Sequence, residues 1–129
     1  MDSFSKFIGF LHTHGYVLIE QNDKLKIIKY EKDGLIIKII QEANSKRFID
    51  VSRTDNQGWE GWYDMGIIYF FILKLHFEKG KAGEFEQLSQ FFIDHYKEIL
   101  ISFSPANYSE TEIALAEIKK ERAKVLFGR

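Results

Sequence analysis

The chain has 129 residues, of which 45% are hydrophobic and 16% aromatic, and its formal net charge is −1. This size and composition predict one folded domain spanning residues 1–129 and exclude a disordered protein. The near-neutral charge gives no overall field to attract nucleic acid, and the absence of cysteine excludes disulfides and thiolate chemistry.

The first predicted elements are a short helix and four strands. Apolar residues from Phe4 to Leu11 recur at helical spacing, and they predict a helix over Ser3–His14 that ends at Gly15. Apolar runs separated by short polar turns then predict an antiparallel meander. Its four strands are Gly15–Gln21, Lys24–Glu31, Leu35–Glu42 and Lys46–Arg53.

The second and third strands flank Asp33-Gly34, which is a strong hairpin signal. Sorting the hairpin by side-chain direction predicts one core face, formed by Ile28, Tyr30, Leu35, Ile37 and Ile39. The second face mixes aliphatic and charged residues, including Leu25, Ile27, Lys29, Ile36, Lys38 and Ile40. Either a helix partly covers this second face or it is an exposed patch with a use.

Residues 54–62 (TDNQGWEGW) are predicted to form a loop that is rich in acids and tryptophan. Trp59 has the profile of an interface anchor, or else folds back over the core, and we expect Trp62 to belong to the core. The next segment, Met65–Phe77, is apolar nearly all round, so periodicity does not separate a helix from a strand. Its length and a possible N-cap at Asp64 favour a helix.

Two more helices are predicted in the C-terminal part of the chain. Glu84–Ile101 is amphipathic, and Ser109 with Glu112 matches a capping box that opens a helix over Glu110–Phe127, with Ile113 among its docking residues. The predicted fold is therefore α+β. It consists of an antiparallel four-stranded meander with an N-terminal helix and two to three C-terminal helices packed mainly on one face.

Motifs for catalysis or metal binding are missing from the sequence. It contains no nucleophile motif, no glycine-rich phosphate loop and no histidine spacing typical of zinc sites. We therefore expect a non-enzymatic protein with no catalytic residue, no cofactor and no metal. The alternative is an enzyme or small-ligand-binding protein whose site is assembled from distant segments, around His76 or around His95 with Asp94.

The distribution of charge and of apolar residues also argues against nucleic-acid and membrane partners. Residues 15–54 carry only +2, because acids alternate with the bases of the strands. The longest apolar run, Met65–Leu73, is nine residues, whereas a membrane span needs about 20. The N-terminus has no basic stretch followed by a long apolar run. We expect a cytoplasmic protein.

Acidic residues are segregated along the chain. Residues 55–64 carry −3 and residues 84–112 carry −5, and an acidic surface speeds encounter with basic partners. The sequence therefore predicts a protein-binding surface of acidic and aromatic residues. It comprises Asp55, Trp59, Glu60, Asp64, Glu84 and Glu86.

The order of the elements resembles that of small bacterial immunity proteins, which are cytoplasmic proteins that bind and neutralise a cognate toxin domain. The resemblance is carried by a helix closing at H-G-Y, the strands K-I-I-K-Y-E, L-I-I-K-I-I and R-F-I-D-V-S, an F-x-x-L-x-x-F-F helix and a final charged helix. It covers most of the chain and implies a high-affinity binder, here of a basic toxin domain, without assigning individual site residues. A third hypothesis is a subunit of a homo-oligomeric assembly that uses the mixed sheet face as its contact, and both a monomer and a homodimer remain open.

Overall fold

The computed structural model, which describes residues 2–55 and 61–128, contains five helices and a five-stranded antiparallel sheet within those ranges. The helices are α1 (Ser3–Thr13), α2 (Met65–Leu73), α3 (Phe85–Asp94), α4 (Tyr96–Ser102) and α5 (Tyr108–Phe127). The strands are β1 (Val17–Asn22), β2 (Ile27–Lys32), β3 (Leu35–Gln41), β4 (Arg47–Arg53) and β5 (Tyr63–Asp64). Each strand pairs with the next one in the chain. The α+β class and the antiparallel meander are confirmed. No helix in the described ranges is long and apolar enough to cross a membrane.

The prediction of four strands is wrong because Tyr63 and Asp64 add a fifth. They pair with Val51 and Asp50 on the outer side of β4. A strand of two residues is too short to show any alternation of apolar and polar residues, so its existence depends on the pairing with β4.

The single helix predicted over Glu84–Ile101 is in fact two helices. The backbone of His95 has φ −113° and ψ 21°, which departs from α-helical geometry and separates α3 from α4. The helix predicted at Met65 is confirmed, although it ends at Leu73. Its first turn is capped by Asp64, whose carboxylate accepts a hydrogen bond from the backbone N–H of Ile67 at 3.0 Å.

The last helix begins at Tyr108, so the predicted capping box of Ser109 and Glu112 is wrong. Asn107 occupies the N-cap position, and its side-chain amide donates to the carbonyl of Ile101 at 3.0 Å. This hydrogen bond joins the end of α4 to the start of α5. The first helical turn therefore precedes Ser109.

The docking face of α5 also differs from the prediction. Leu115 and Thr111 are buried, whereas Ile113 is 68% exposed. The hydroxyl of Thr111 donates to the carbonyl of Ser102 at 2.6 Å. This contact helps to set the rotation of α5 about its axis, and a helical pattern read from the sequence alone does not contain that information.

The core lies between the helices and the predicted face of the hairpin. Tyr30, Leu35, Ile37 and Ile39 are buried, and Ile28 packs against them, so that face is confirmed. The helices contribute most of the remaining core side chains, among them Phe7, Leu11, Ile67, Ile68, Phe92, Ile99 and Leu115.

A buried arginine connects β4 to the end of α4. The side chain of Arg53 is only 10% exposed, and its Nη1 donates to the carbonyl of Phe103 at 2.9 Å. Phe103 follows the last residue of α4 directly, so the guanidinium lies at the negative end of that helix dipole. The Nε of Arg53 also donates to Asp55 at 3.3 Å.

Candidate functional site

A row of charged side chains crosses the second face of the sheet, with one residue from each strand. Its members are direct neighbours in the successive strand pairings. Glu20 and Lys29 are 3.0 Å apart, and Lys38 and Asp50 are 3.9 Å apart. We refer to this set as the charged row, formed by Glu20, Lys29, Lys38, Asp50 and Asp64.

Trp62 lies over the centre of the charged row. The Nζ of Lys38 is 4.0 Å from the centroid of the Trp62 ring, and the Nζ of Lys29 is 5.6 Å from it. The expected core placement of Trp62 is therefore wrong, because the adjacent Tyr63 takes the core position opposite Val51. Within the described ranges, this indole and its two cation–π contacts cover the middle of the second face.

Burial shifts the two central groups of the charged row toward their neutral forms. It raises the pKa of the Asp50 carboxyl, which the nearby Lys38 only partly opposes, and Asp64 raises this pKa further. Burial lowers the pKa of Lys38, and Asp50 opposes that shift. Pairs of titratable groups with shifted pKa values occur at functional sites and also in structural ion networks. The Trp62 ring over the Lys38 amine favours the structural role here.

Two adjoining depressions beside the charged row form one open groove around Phe48. Their volumes are about 430 Å³ and about 490 Å³, and both include Phe48 and the start of α3. Phe48 is 42% exposed. We call this feature the Phe48 groove. It is lined by Ile40, Asp50, Asp64 and Arg122 on one side, by Lys46, Glu84 and Glu86 on the other, and by Arg47, Phe48, Gly83, Phe85 and Leu88 where the two depressions meet.

The Phe48 groove brings together three of the predicted contact residues. Asp64 is held by Arg122 of α5 at 2.7 Å. Glu84 lies 3.3 Å from Lys46 and takes part in the capping box of α3. Glu86 is in the first turn of α3 and is exposed. Three of the predicted acids therefore border the side chain of Phe48, and their contact role stays a prediction.

The other three predicted contact residues are not brought to this groove by the described part of the chain. Asp55 lies beside Arg53, at the end of β4 opposite to Lys46. A strand of this length spans about 20 Å, so Asp55 and the start of α3 are separate surfaces. Trp59 and Glu60 fall outside the described residues, and their contact role stays a prediction.

Sequence reasoning missed Phe48 and Asp50 as site residues. Both belong to the predicted fourth strand, in which Ile49 and Val51 point to the core. Strict alternation places Phe48 and Asp50 on the opposite face. An exposed phenylalanine next to an acid was therefore a readable signal, and only the groove around them required the folded chain.

The histidines proposed for a ligand site do not converge. The Nδ1 of His76 is hydrogen-bonded to Glu121 at 3.0 Å on an exposed surface. His95 pairs with Glu98 at 2.9 Å, whereas Asp94 accepts from Gln90 at 2.8 Å. Among the residues that the structure describes, no group of three His, Asp or Glu side chains could hold a metal ion.

The fold and the groove define a small α+β domain with an open, partly aromatic and acidic depression between β4 and the start of α3. Comparison with family models, with curated proteins and with solved structures gives no significant match. The resemblance to immunity proteins is therefore untested by relatives and stays a prediction.

Proposed function

We propose that the chain is a non-catalytic protein-binding domain and, more specifically, a cytoplasmic immunity protein that neutralises a cognate toxin. The observation that carries this proposal is Phe48, a half-exposed aromatic residue in the middle of a groove bordered by acids. Exposed aromatic side chains that fill or line a depression are the usual anchors of protein interfaces.

The position of Phe48 on a paired strand favours tight binding. The residue is opposite Ile40 in the β3–β4 ladder, so its backbone is already ordered before a partner arrives. Little conformational entropy is then lost when the exposed part of the ring becomes buried. An anchor of this kind gives affinity, and it requires no chemistry from the groove.

The charges at the border of the groove favour a basic partner. Glu86 is exposed at the start of α3, where it is free to meet an incoming base. The ion pair between Glu84 and Lys46 joins two exposed side chains and is therefore weak. A lysine or arginine of the partner can replace Lys46 at little cost, and this exchange would fit a basic toxin domain.

Co-expression with the product of the neighbouring reading frame tests the proposed function directly. Neutralisation of that product and copurification of a complex are the expected results. If the product is harmless to cells, or if no complex forms, the immunity function is wrong.

Three variants then locate the binding surface. Phe48→Ala should weaken binding by about thirtyfold, which corresponds to about 2 kcal/mol for an anchor residue. Glu86→Lys should slow association, most strongly at low salt. Ile113→Ala is the matched control, since Ile113 is an exposed aliphatic residue that does not line the groove. Equal affinity of Phe48→Ala and Ile113→Ala would remove the groove from the interface.

A further inference from the structure

Charge is divided along α5. The first half of the helix contains three glutamates and no base, namely Glu110, Glu112 and Glu117. The second half contains four bases and one glutamate, namely Lys119, Lys120, Arg122, Lys124 and Glu121. This division also suits the helix dipole. When two copies of α5 lie antiparallel, the acidic half of each helix therefore faces the basic half of the other.

An apolar stripe runs along the same helix. The stripe consists of Ala114, Ile118 and Val125, and it is interrupted by Glu121. These four positions follow one another at intervals of four, three and four residues. This is the repeat of a seam between two packed helices. Val125 is 53% exposed, so the stripe continues past the part of α5 that the chain itself covers. The carboxylate of Glu121 accepts hydrogen bonds from His76 and from the backbone N–H of Phe77, so this charge is already partnered within the stripe.

The stripe borders a groove of about 530 Å³ between α5, α4 and the end of α2, which we call the α2–α5 groove. Its floor is apolar, and Glu98 and Glu117 are among its rim residues. The floor consists of Phe70, Phe71, Ile72, Leu75 and Ile118. At the end of the same helix, Leu126 is exposed and Phe127 is 70% exposed. The same helix thus borders an apolar groove and ends in exposed apolar side chains that could pack into such a groove.

We propose that two copies of the chain associate through antiparallel α5 helices, each inserting its apolar C-terminal end into the α2–α5 groove of the other copy. In this register Ala114 faces Val125 of the partner subunit, and Ile118 faces Glu121 of the partner subunit. Glu117 then meets Lys124 of the partner subunit, and the two-fold axis makes this contact occur twice. A second copy fits better than an unrelated protein because α5 itself carries both the acid and the base of this contact.

Two of the other bases of α5, Lys119 and Arg122, are engaged within their own chain. Lys119 donates to the carbonyl of Trp62 at 3.2 Å, and Arg122 donates to Asp64 at 2.7 Å. Lys120 and Glu117 form only a loose, exposed pair at 3.5 Å. Glu117 is therefore available to Lys124 of the partner subunit.

Sedimentation equilibrium of the full chain tests the proposed association, over about 10 µM to about 1 mM, which suits a weak dimer. The mass of the wild-type protein should rise with concentration from 15.2 kDa toward twice that value. Glu117→Lys and Lys124→Glu should each weaken association about tenfold, since each turns two attractive contacts into two repulsive ones. The double variant exchanges the signs and should return the dissociation constant to within about threefold of wild type.

Glu86→Lys is the matched control, because it makes the same change of charge on α3. It should leave the dimer unchanged, and circular dichroism of all variants should show an unchanged helix content. The proposal is overturned if the wild-type chain stays monomeric at the highest concentration. It is also overturned if the double variant associates no better than the single ones, or if Glu86→Lys weakens association as much as Glu117→Lys does.

Discussion

The contact between Arg53 and the end of α4 makes a sharp prediction about stability. Replacing Arg53 by Met keeps most of the apolar stem of the side chain and removes the guanidinium. The carbonyl of Phe103 then loses its hydrogen bond at a buried site. The substitution therefore removes the hydrogen bond between β4 and the end of α4, and with it the guanidinium that lies 5.9 Å from the centroid of the Tyr108 ring, while it keeps most of the apolar packing.

The expected loss can be worked out from three contributions. A buried hydrogen bond from a charged donor contributes about 1.5–3 kcal/mol. A cation at a helix C-terminus contributes about 0.3–1 kcal/mol. The ion pair with Asp55 adds little, because the Asp55 side chain is 72% exposed and water screens it. Together they predict that Arg53→Met lowers the free energy of unfolding by about 2–4 kcal/mol.

Urea unfolding at neutral pH, followed by circular dichroism, measures this loss. Asp55→Ala is the control and should cost less than about 0.5 kcal/mol. Arg53→Lys keeps the charge but not the geometry of the guanidinium, so it should fall between wild type and Arg53→Met. A value for Arg53→Met within about 0.5 kcal/mol of wild type would refute the reasoning. So would an equal loss in Asp55→Ala, because the arginine would then act through the carboxylate and not through the helix end.

Two further predictions concern buried titratable groups. Burial raises the pKa of Asp50, so its contribution to stability is full at low pH and is lost as pH rises through the raised pKa. The stability of Asp50→Asn relative to wild type should therefore increase from about pH 4 to pH 7 in urea titrations, and a flat difference would contradict this. Burial raises the pKa of Tyr16 above its ordinary value of 10.0, and the Tyr16 hydroxyl lies 3.0 Å from that of Tyr96. Wild type should lose stability as pH rises past about 10, and Tyr16→Phe should lose less of it, which alkaline urea titrations of the two proteins would measure. Equal losses would show that Tyr16 does not cause the effect.

Local sequence signals predicted the structure correctly wherever one segment determines its own conformation. Asp33 and Gly34 both have positive φ, 51° and 86°, as a tight hairpin turn with its strong Asp-Gly preference requires. The alternation around that turn then placed Tyr30 and Ile37 correctly in the core. Gly15, with φ 85°, follows α1 where the helical pattern ends.

The tertiary structure decided the features that depend on contacts between distant segments. The strand at Tyr63 exists because β4 offers it an edge, and the rotation of α5 depends on the hydrogen bond from Thr111 to Ser102. Trp62 is directed to the second face of the sheet, where it meets Lys38.

The candidate site, too, was predicted in part from the sequence and determined in part by the tertiary structure. Composition and charge determined that acids would be concentrated in two segments, because those are properties of the chain itself. Only the folded chain determined that Asp64, Glu84 and Glu86 would border one groove while Asp55 would not. The physical reason is that side chains remote in sequence become neighbours through strand pairing and helix packing, and these long-range contacts leave no local pattern in the sequence.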